Sequence, residues 1–369
     1  MPISFLDLTR QNSEIEAETS VALGRVYTSG QYILGPEVVA FEEAWSRFCQ
    51  VDGAVGVASG TDALSLALVA SGTVRKGAGD EVIVPTLTAP YTALAVLNAG
   101  GVPVFADVDP ATYTIDCKSI EISITSRTRA IVPVHLYGQM ADMPAVCALA
   151  DQHGLTVIED AAQAHGARLN NRSPGAFGLA AAYSFYPTKN LGGFGDGGAV
   201  VSTDKALIER IKVLRQGGHA EALKGQLEGR NSRLDELQAA LLGVKLKYLN
   251  DWNQRRRKLA ALYDEMLAPV AKLRRPDVRQ SDSHVFHLYV VAHPNREALQ
   301  AHLATRGIET MIHYPYLLHQ QSLFRQTGQQ PLPVAENLAD SILSLPLYPH
   351  LGEGEVSEVA RAIVEFEPA

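Results

Sequence analysis

Four short stretches of this 369-residue chain hold residues whose types and spacing could do chemistry. Lys189 stands at the mouth of a glycine run, "FYPTKNLGGFGDGGAV" (185–200), and Asp160 closes the apolar stretch "LTVIED" (155–160). "SGTDALSLAL" (59–68) puts small and hydroxyl-bearing residues ahead of a helical pattern, and "GRNSRLDELQAA" (229–240) sets Asn231 just before another. An amine desolvated against apolar backbone has a lowered pKa and attacks carbonyl carbon, the usual setting for a Schiff base. A helix N-terminus offers unpaired N–H groups to an anion. A carboxylate at a strand end points into the crevice where open α/β sheets place their ligands.

Each stretch also has a plainer reading. Ser59, Thr61 or Asp62 could simply cap a helix, Asn231 likewise, and most lysines lie on the surface. Asp160 could serve as a cap or as the partner of a buried cation. Gly193, Gly195 and Gly198 spell G-x-G-x-x-G, but "AVVST" follows, which reads as a strand where a nucleotide loop needs a helix. A metal is not expected, because Glu159 and His165 beside Asp160 lack the usual ligand spacing. Taken together, an anion site, a carboxylate and a Schiff-base lysine are what pyridoxal 5′-phosphate requires. The helix N-terminus would take the phosphate, Asp160 would keep the pyridine nitrogen protonated, and Lys189 would hold the aldehyde carbon and then move protons.

These residues need a scaffold, and the pattern around them predicts an α/β fold. Apolar runs at 53–58, 81–85, 103–108, 129–136, 155–160, 181–187 and 198–203 alternate with helical stretches, as in a mostly parallel sheet covered by helices. Only about ten glycine-rich residues join the last two runs, too few for a parallel crossover. One of that pair must run antiparallel, with Lys189 in the connecting loop. From Leu234 the stripe Leu237, Leu241, Val244 and Tyr248 predicts a long helix running on past "DWNQRRRKLAALYDEML". It leads into a smaller C-terminal α+β domain (251–369, after a large domain of 1–250), with a strand in 283–293 and a helix over 295–307. The basic run Arg255–Lys258 reads as a solvated helix face.

The chain carries 40 acidic against 32 basic residues, a net charge of −8, which argues against nucleic-acid or anionic-membrane partners. Cys49, Cys117 and Cys147 are scattered and form no C-x-x-C pair, as suits a reducing compartment. No secretory signal and no membrane-length apolar run is visible, so a cytoplasmic location is expected.

"EDAAQAHGA", "SFYPTKNLGGFGDGGAVV", "NSRLDELQAA", "ETMIHYP" and "LSLPLYPHL" closely resemble the sugar-aminotransferase (DegT/DnrJ/EryC1/StrS) family of fold-type-I pyridoxal-phosphate enzymes, almost end to end. The resemblance implies a homodimer with shared active sites that passes the amino group of L-glutamate to a nucleotide-linked keto-sugar. It makes Lys189 the Schiff-base lysine, Asp160 the partner of the pyridine nitrogen and Gln163 the partner of the phenolic oxygen. Gly60, Thr61 and Ser184 would hold the phosphate, joined by Asn231 from the other subunit. Retention of Lys189 separates the chain from relatives that carry histidine there and dehydrate.

Two departures from the family pattern stand out. Ala89 occupies the place of an aromatic residue that stacks on the cofactor, with Tyr91 two residues later, so that role is left open. Only Lys224 stands for a Lys-Tyr pair ahead of Asn231. "SGQYILGPEVVAFEEAW" (29–45) and "RQGGH" (215–219) look most like members that aminate C-3 of dTDP-linked 3-keto-6-deoxyhexoses, with C-4 and 3-keto-uronate aminotransferases as rivals. Tyr32, Tyr186, His313 and Tyr314 are the candidate sugar-nucleotide contacts.

Overall fold

A computed structural model describes residues 2–218, 229–324 and 330–366. Among these, seven strands form one sheet: β1 (Gly53–Val57), β2 (Glu81–Pro85), β3 (Val102–Ala106), β4 (Thr128–Ile131), β5 (Thr156–Asp160), β6 (Ala180–Ser184) and β7 (Gly198–Ser202). Their order is β1-β7-β6-β5-β4-β2-β3. All seven lie on the apolar runs of the sequence. The reversed strand is β7, antiparallel to both β1 and β6.

The strands read as continuous apolar runs because both faces are covered. Ile83, Ile131, Tyr183 and Val201 point to a core shared with Trp45, Ile120, Val146 and Leu242. Their neighbours Val82, Val84, Ala130 and Val200 point the other way, to Leu64, Val96 and Ile211. Period-two alternation therefore sorts residues between two buried layers instead of between core and water.

A second, two-stranded antiparallel sheet, β8 (Tyr289–Ala292) with β9 (Ile342–Leu345), packs with Leu259, Tyr263, Leu303 and Ile363. Ile3, from the other end of the chain, enters this core and bridges to Ile308.

The expected long helix from Leu234 is two helices, Glu236–Leu246 and Leu249–Leu267. Tightened bonds from Lys247 N–H to the Val244 carbonyl and from Tyr248 N–H to the Lys245 carbonyl end the first. Leu237, counted in the stripe, is 38% exposed. The run Arg255–Lys258 is not one solvated face either. Arg255 pairs with Glu14 (2.7 Å), and Arg257 donates to the His284 carbonyl (3.1 Å). Arg256 is buried and donates to the Phe286 and Leu347 carbonyls at 3.2 and 2.9 Å.

Several strands also stop short of their apolar runs, β6 at Ser184 and β3 at Ala106 among them. β4 ends at Ile131, two residues before Pro133, which has no N–H for the ladder, and the 283–293 run pairs only over Tyr289–Ala292.

Candidate active site

The carboxyl ends of β1, β5 and β6 lie along one sheet edge. Because β7 runs backwards, its first residue lies there too, paired with both Val57 and Ser184. The loop from Ser184 to Gly198 is extremely crowded. A Cβ on Gly192 would fall 2.3 Å from the Pro187 carbonyl oxygen, and one on Gly193 would fall 2.6 Å from the Gln238 side chain. The Gln238 amide oxygen accepts from Phe194 N–H (2.8 Å), and the buried Lys245 ammonium donates to the Gly192 carbonyl (2.8 Å). None of the five glycines from 192 to 198 has a positive φ. They are present for space, not for left-handed backbone.

Crowding continues at the helix Gly60–Ala70. A Cβ on Gly60 would meet the Ser184 Cβ at 2.6 Å. Ser59 caps the helix by accepting from Asp62 N–H (3.1 Å). The N–H groups of Gly60 and Thr61 have no acceptor among the described residues, which suits an anion. The capping reading holds, and the cap leaves these two N–H groups open.

Asp160, at the end of β5, is buried. Thr92 Oγ1 donates to one of its oxygens (2.8 Å) and Ala162 N–H to the other (3.1 Å), so it is a cap as well as a free acceptor. The partly buried Lys189 amine has its pKa lowered to about 8 by burial, which the opposing pull of Asp160 does not offset.

Gln163 is held from behind. Tyr137 N–H donates to Oε1 (2.6 Å), which fixes the amide so that Nε2 donates to the Tyr314 hydroxyl (3.0 Å) and keeps a second hydrogen available. Tyr137 adopts a φ of 57°, unfavourable for a tyrosine, and its hydroxyl donates to the His313 carbonyl. His313 Nδ1 bonds Ser344 Oγ (2.9 Å), and burial together with Lys189 lowers its pKa to about 4. Burial pushes the Tyr314 hydroxyl up to about 12, with Asp160 and Tyr91 adding to the effect. Lys189, Asp160, Gln163, His313 and Tyr314 thus share one neighbourhood, and the 62% exposed Tyr91 borders it.

Over residues 13–364 the chain matches the DegT/DnrJ/EryC1/StrS aminotransferase family. The chain belongs to that family.

It is 46% identical to the dTDP-3-amino-3,4,6-trideoxy-alpha-D-glucose transaminase of Streptomyces venezuelae, over 99% of this chain and 96% of that one. It is also 46% identical to the dTDP-3-amino-3,6-dideoxy-alpha-D-galactopyranose transaminase of Aneurinibacillus thermoaerophilus, over 99% of both. The crystal structure of S. venezuelae DesV in complex with a ketimine intermediate superposes with a TM-score of 0.95 at 45% identity, covering 100% of this chain and 99% of that one. NtdA of Bacillus subtilis, with its cofactor PMP bound, superposes at 0.91 with 31% identity, covering 99% and 85%. The protein is a pyridoxal-phosphate-dependent aminotransferase with the fold of those enzymes.

The residues present in this aminotransferase fit that cofactor. Open helix N–H groups suit its phosphate, the Asp160 carboxylate its ring nitrogen, the spare Gln163 hydrogen its phenolic oxygen and the desolvated Lys189 amine its aldehyde. Three predicted residues are exposed on the single chain, though the Tyr186 carbonyl accepts from Lys189 N–H (2.9 Å). Tyr32 and Tyr186 are 48% and 51% exposed. Asn231 is exposed and bridges to Gln216, while the Tyr32 carbonyl accepts from Glu236 N–H (3.0 Å). Lys224 and His219 of "RQGGH" lie outside the described residues. Among the described residues no group of His, Cys, Asp and Glu could hold a metal, and no helix is long and apolar enough to cross a membrane.

Sequence reasoning missed Thr92, Tyr137 and Glu236. Glu236 is buried and accepts from the N–H groups of Gly35, Glu37 and Val38 at 2.8–2.9 Å, which fixes the segment after Tyr32. Its place in "DELQ" looks like an ordinary first-turn glutamate. Only Tyr137, in the glycine-flanked "HLYGQ", left a trace of a turn.

Proposed function

We propose that this enzyme transfers the amino group of L-glutamate to C-3 of a dTDP-linked 3-keto-6-deoxyhexose. The substrate half of the reading rests on the two transaminases named above. The reacting half rests on one observation, the placing of the Lys189 amine beside Asp160, where burial lowers its pKa to about 8. At pH 7 about a tenth of such an amine is neutral, against well under a thousandth for a lysine in water. When bound, pyridoxal phosphate supplies a ring that draws electrons from the carbon carrying the transferred nitrogen. Lys189 Nζ would hold the aldehyde end and, once free, would take the proton from that carbon of glutamate and deliver one to C-3 of the sugar. Asp160, oriented by Thr92 and Ala162, holds a proton at the ring nitrogen. Gln163 Nε2 donates to the phenolic oxygen, and Gly60, Thr61 and Ser184 hold the phosphate.

The working form in this reading is a cytoplasmic homodimer, in which Asn231 reaches the phosphate of the other subunit. Exposed apolar side chains support such a contact, among them Val21 (63%), Tyr27 (79%) and Val39 (52%). Tyr32, Tyr186, His313 and Tyr314 contact the sugar nucleotide, with residues 1–250 carrying the cofactor and 251–369 flanking it. Mass spectrometry of products from dTDP-, UDP- and GDP-linked 3-keto and 4-keto sugars, 3-keto-uronates and a cyclitol ketone, each with glutamate, tests the assignment. Amine at C-3 of the dTDP-hexose with matching 2-oxoglutarate is expected. Preferred amination at C-4, of a uronate or of a free cyclic ketone overturns it.

A further inference from the structure

Asn190, the residue directly after Lys189, is buried and spends its whole amide on three partners from elsewhere in the chain. Its Nδ2 donates to Asn253 Oδ1 (2.8 Å) and to the Val285 carbonyl (3.0 Å), and its Oδ1 lies 3.2 Å from His287 Nδ1. Asn253 Nδ2 in turn donates to the His165 carbonyl (2.8 Å), five residues beyond Asp160. Backbone carbonyls can only accept, so Val285 and His165 fix the orientation of both amides. With both Asn190 hydrogens used, its oxygen must accept, and the proton of neutral His287 sits on Nδ1. Val285 N–H continues the chain of contacts to the Gly138 carbonyl (3.0 Å), next to Tyr137.

We infer that Asn190 is a positioning residue for Lys189, an amide brace that sets where the lysine side chain begins relative to Asp160. The inference rests on Lys189 being the reacting amine. A lysine has four rotatable side-chain bonds, and its loop is rich in glycine, so both lose much entropy when ordered. Fixing the adjoining residue to the helix Leu249–Leu267 and to the segment before β8, and through Asn253 to the turn that follows β5, removes most of that freedom at its root. Displacements near 1 Å of a reacting group cost about a hundredfold in rate.

The test follows capture of pyridoxal phosphate by apoprotein, read as the growth of the visible band of the bound cofactor at pH 7.5. Asn190→Ala is expected to slow capture about tenfold or more. Asn253→Ala, altered on a different helix, should slow it in the same direction. Tyr263→Phe is the control for lost stability, since it removes a buried bond to the Pro346 carbonyl (3.0 Å) far along the second core. It should lower the melting temperature and leave capture unchanged. Capture by Asn190→Ala within twofold of wild type overturns the inference, as does equal slowing by Tyr263→Phe. If Asn190→Ala is not recovered folded, Asn253→Ala is judged by the same thresholds. Borohydride labelling of wild type separates the two layers. Label away from Lys189 refutes the lysine itself, whereas label on Lys189 with normal capture by the variant refutes Asn190 alone.

Discussion

Gly198, the first residue of β7, presses against Ser59 so closely that a Cβ on the glycine would lie 2.4 Å from the serine carbonyl carbon and oxygen. The start of a strand and the start of a helix share a space with no room for a methyl group. Gly198→Ala must therefore move the N-terminus of the helix Gly60–Ala70, at a cost of about 1–3 kcal/mol. Affinity for pyridoxal phosphate should fall together with the melting temperature of the apoprotein. Gly354→Ala, where a Cβ would meet nothing within 4 Å, should leave both unchanged. Equal behaviour of the two variants would show that the close approach at Gly198 is not needed.

Asp160→Asn keeps a side chain of the same shape within reach of Thr92 Oγ1 but removes the charge. The half-reaction with glutamate should slow by about a hundredfold or more. Thr92→Val should slow it less, since it loses only the orienting bond. Stopped-flow absorbance measures both. A near-normal Asp160→Asn rate would reduce the aspartate to a cap on Ala162.

Asn231 is exposed on the single chain, whereas Lys189 lies beside Asp160 of its own chain. If Asn231 serves the neighbouring subunit, mixing inactive Lys189→Ala with an impaired Asn231→Ala protein forms heterodimers in which one site carries both defects and the other carries neither. Activity should recover toward about half the wild-type value per heterodimer. Verified subunit exchange without recovery would return Asn231 to its own subunit.

Burial lowers the pKa of His165 and His284 to about 3 and of His313 to about 4. Below about pH 6.5 the unfolded chain takes up protons at these rings that the folded chain refuses, so stability falls as pH drops toward 4. Lys189 and Lys245 act over another window. Each sits near 8 when folded, so between about pH 8 and 10.5 the unfolded chain holds the extra proton and stability rises with pH. Apoprotein melting temperatures across pH 4–10 should show both slopes. His165→Phe, set among the rings of Trp45, Tyr183 and Phe185, should flatten the acid slope. An unaltered acid slope in that variant rules the ring out as a contributor.

Much of this protein was legible in the chain itself. Strands buried on both faces are apolar at most positions, so β1 to β7 stand out as runs, and the gap between the last two apolar runs is too short for a crossover, which exposes the reversal at β7. That Lys189 and Asp160 would meet was legible because a loop opening after one strand and a carboxylate ending its neighbour reach the same sheet edge. The break between Leu246 and Leu249 was not, since 3-4-3-4 spacing reports a buried face and not whether one helix or two provide it. Arg256 gave no sign either, because its acceptors are carbonyls in Phe286 and Leu347, and carbonyls are the same in every residue. Asn190 finds its donors' targets 63 and 95 residues away. Spacing along a chain encodes burial and local turns, while the partner of a buried amide exists only once distant segments have packed against it.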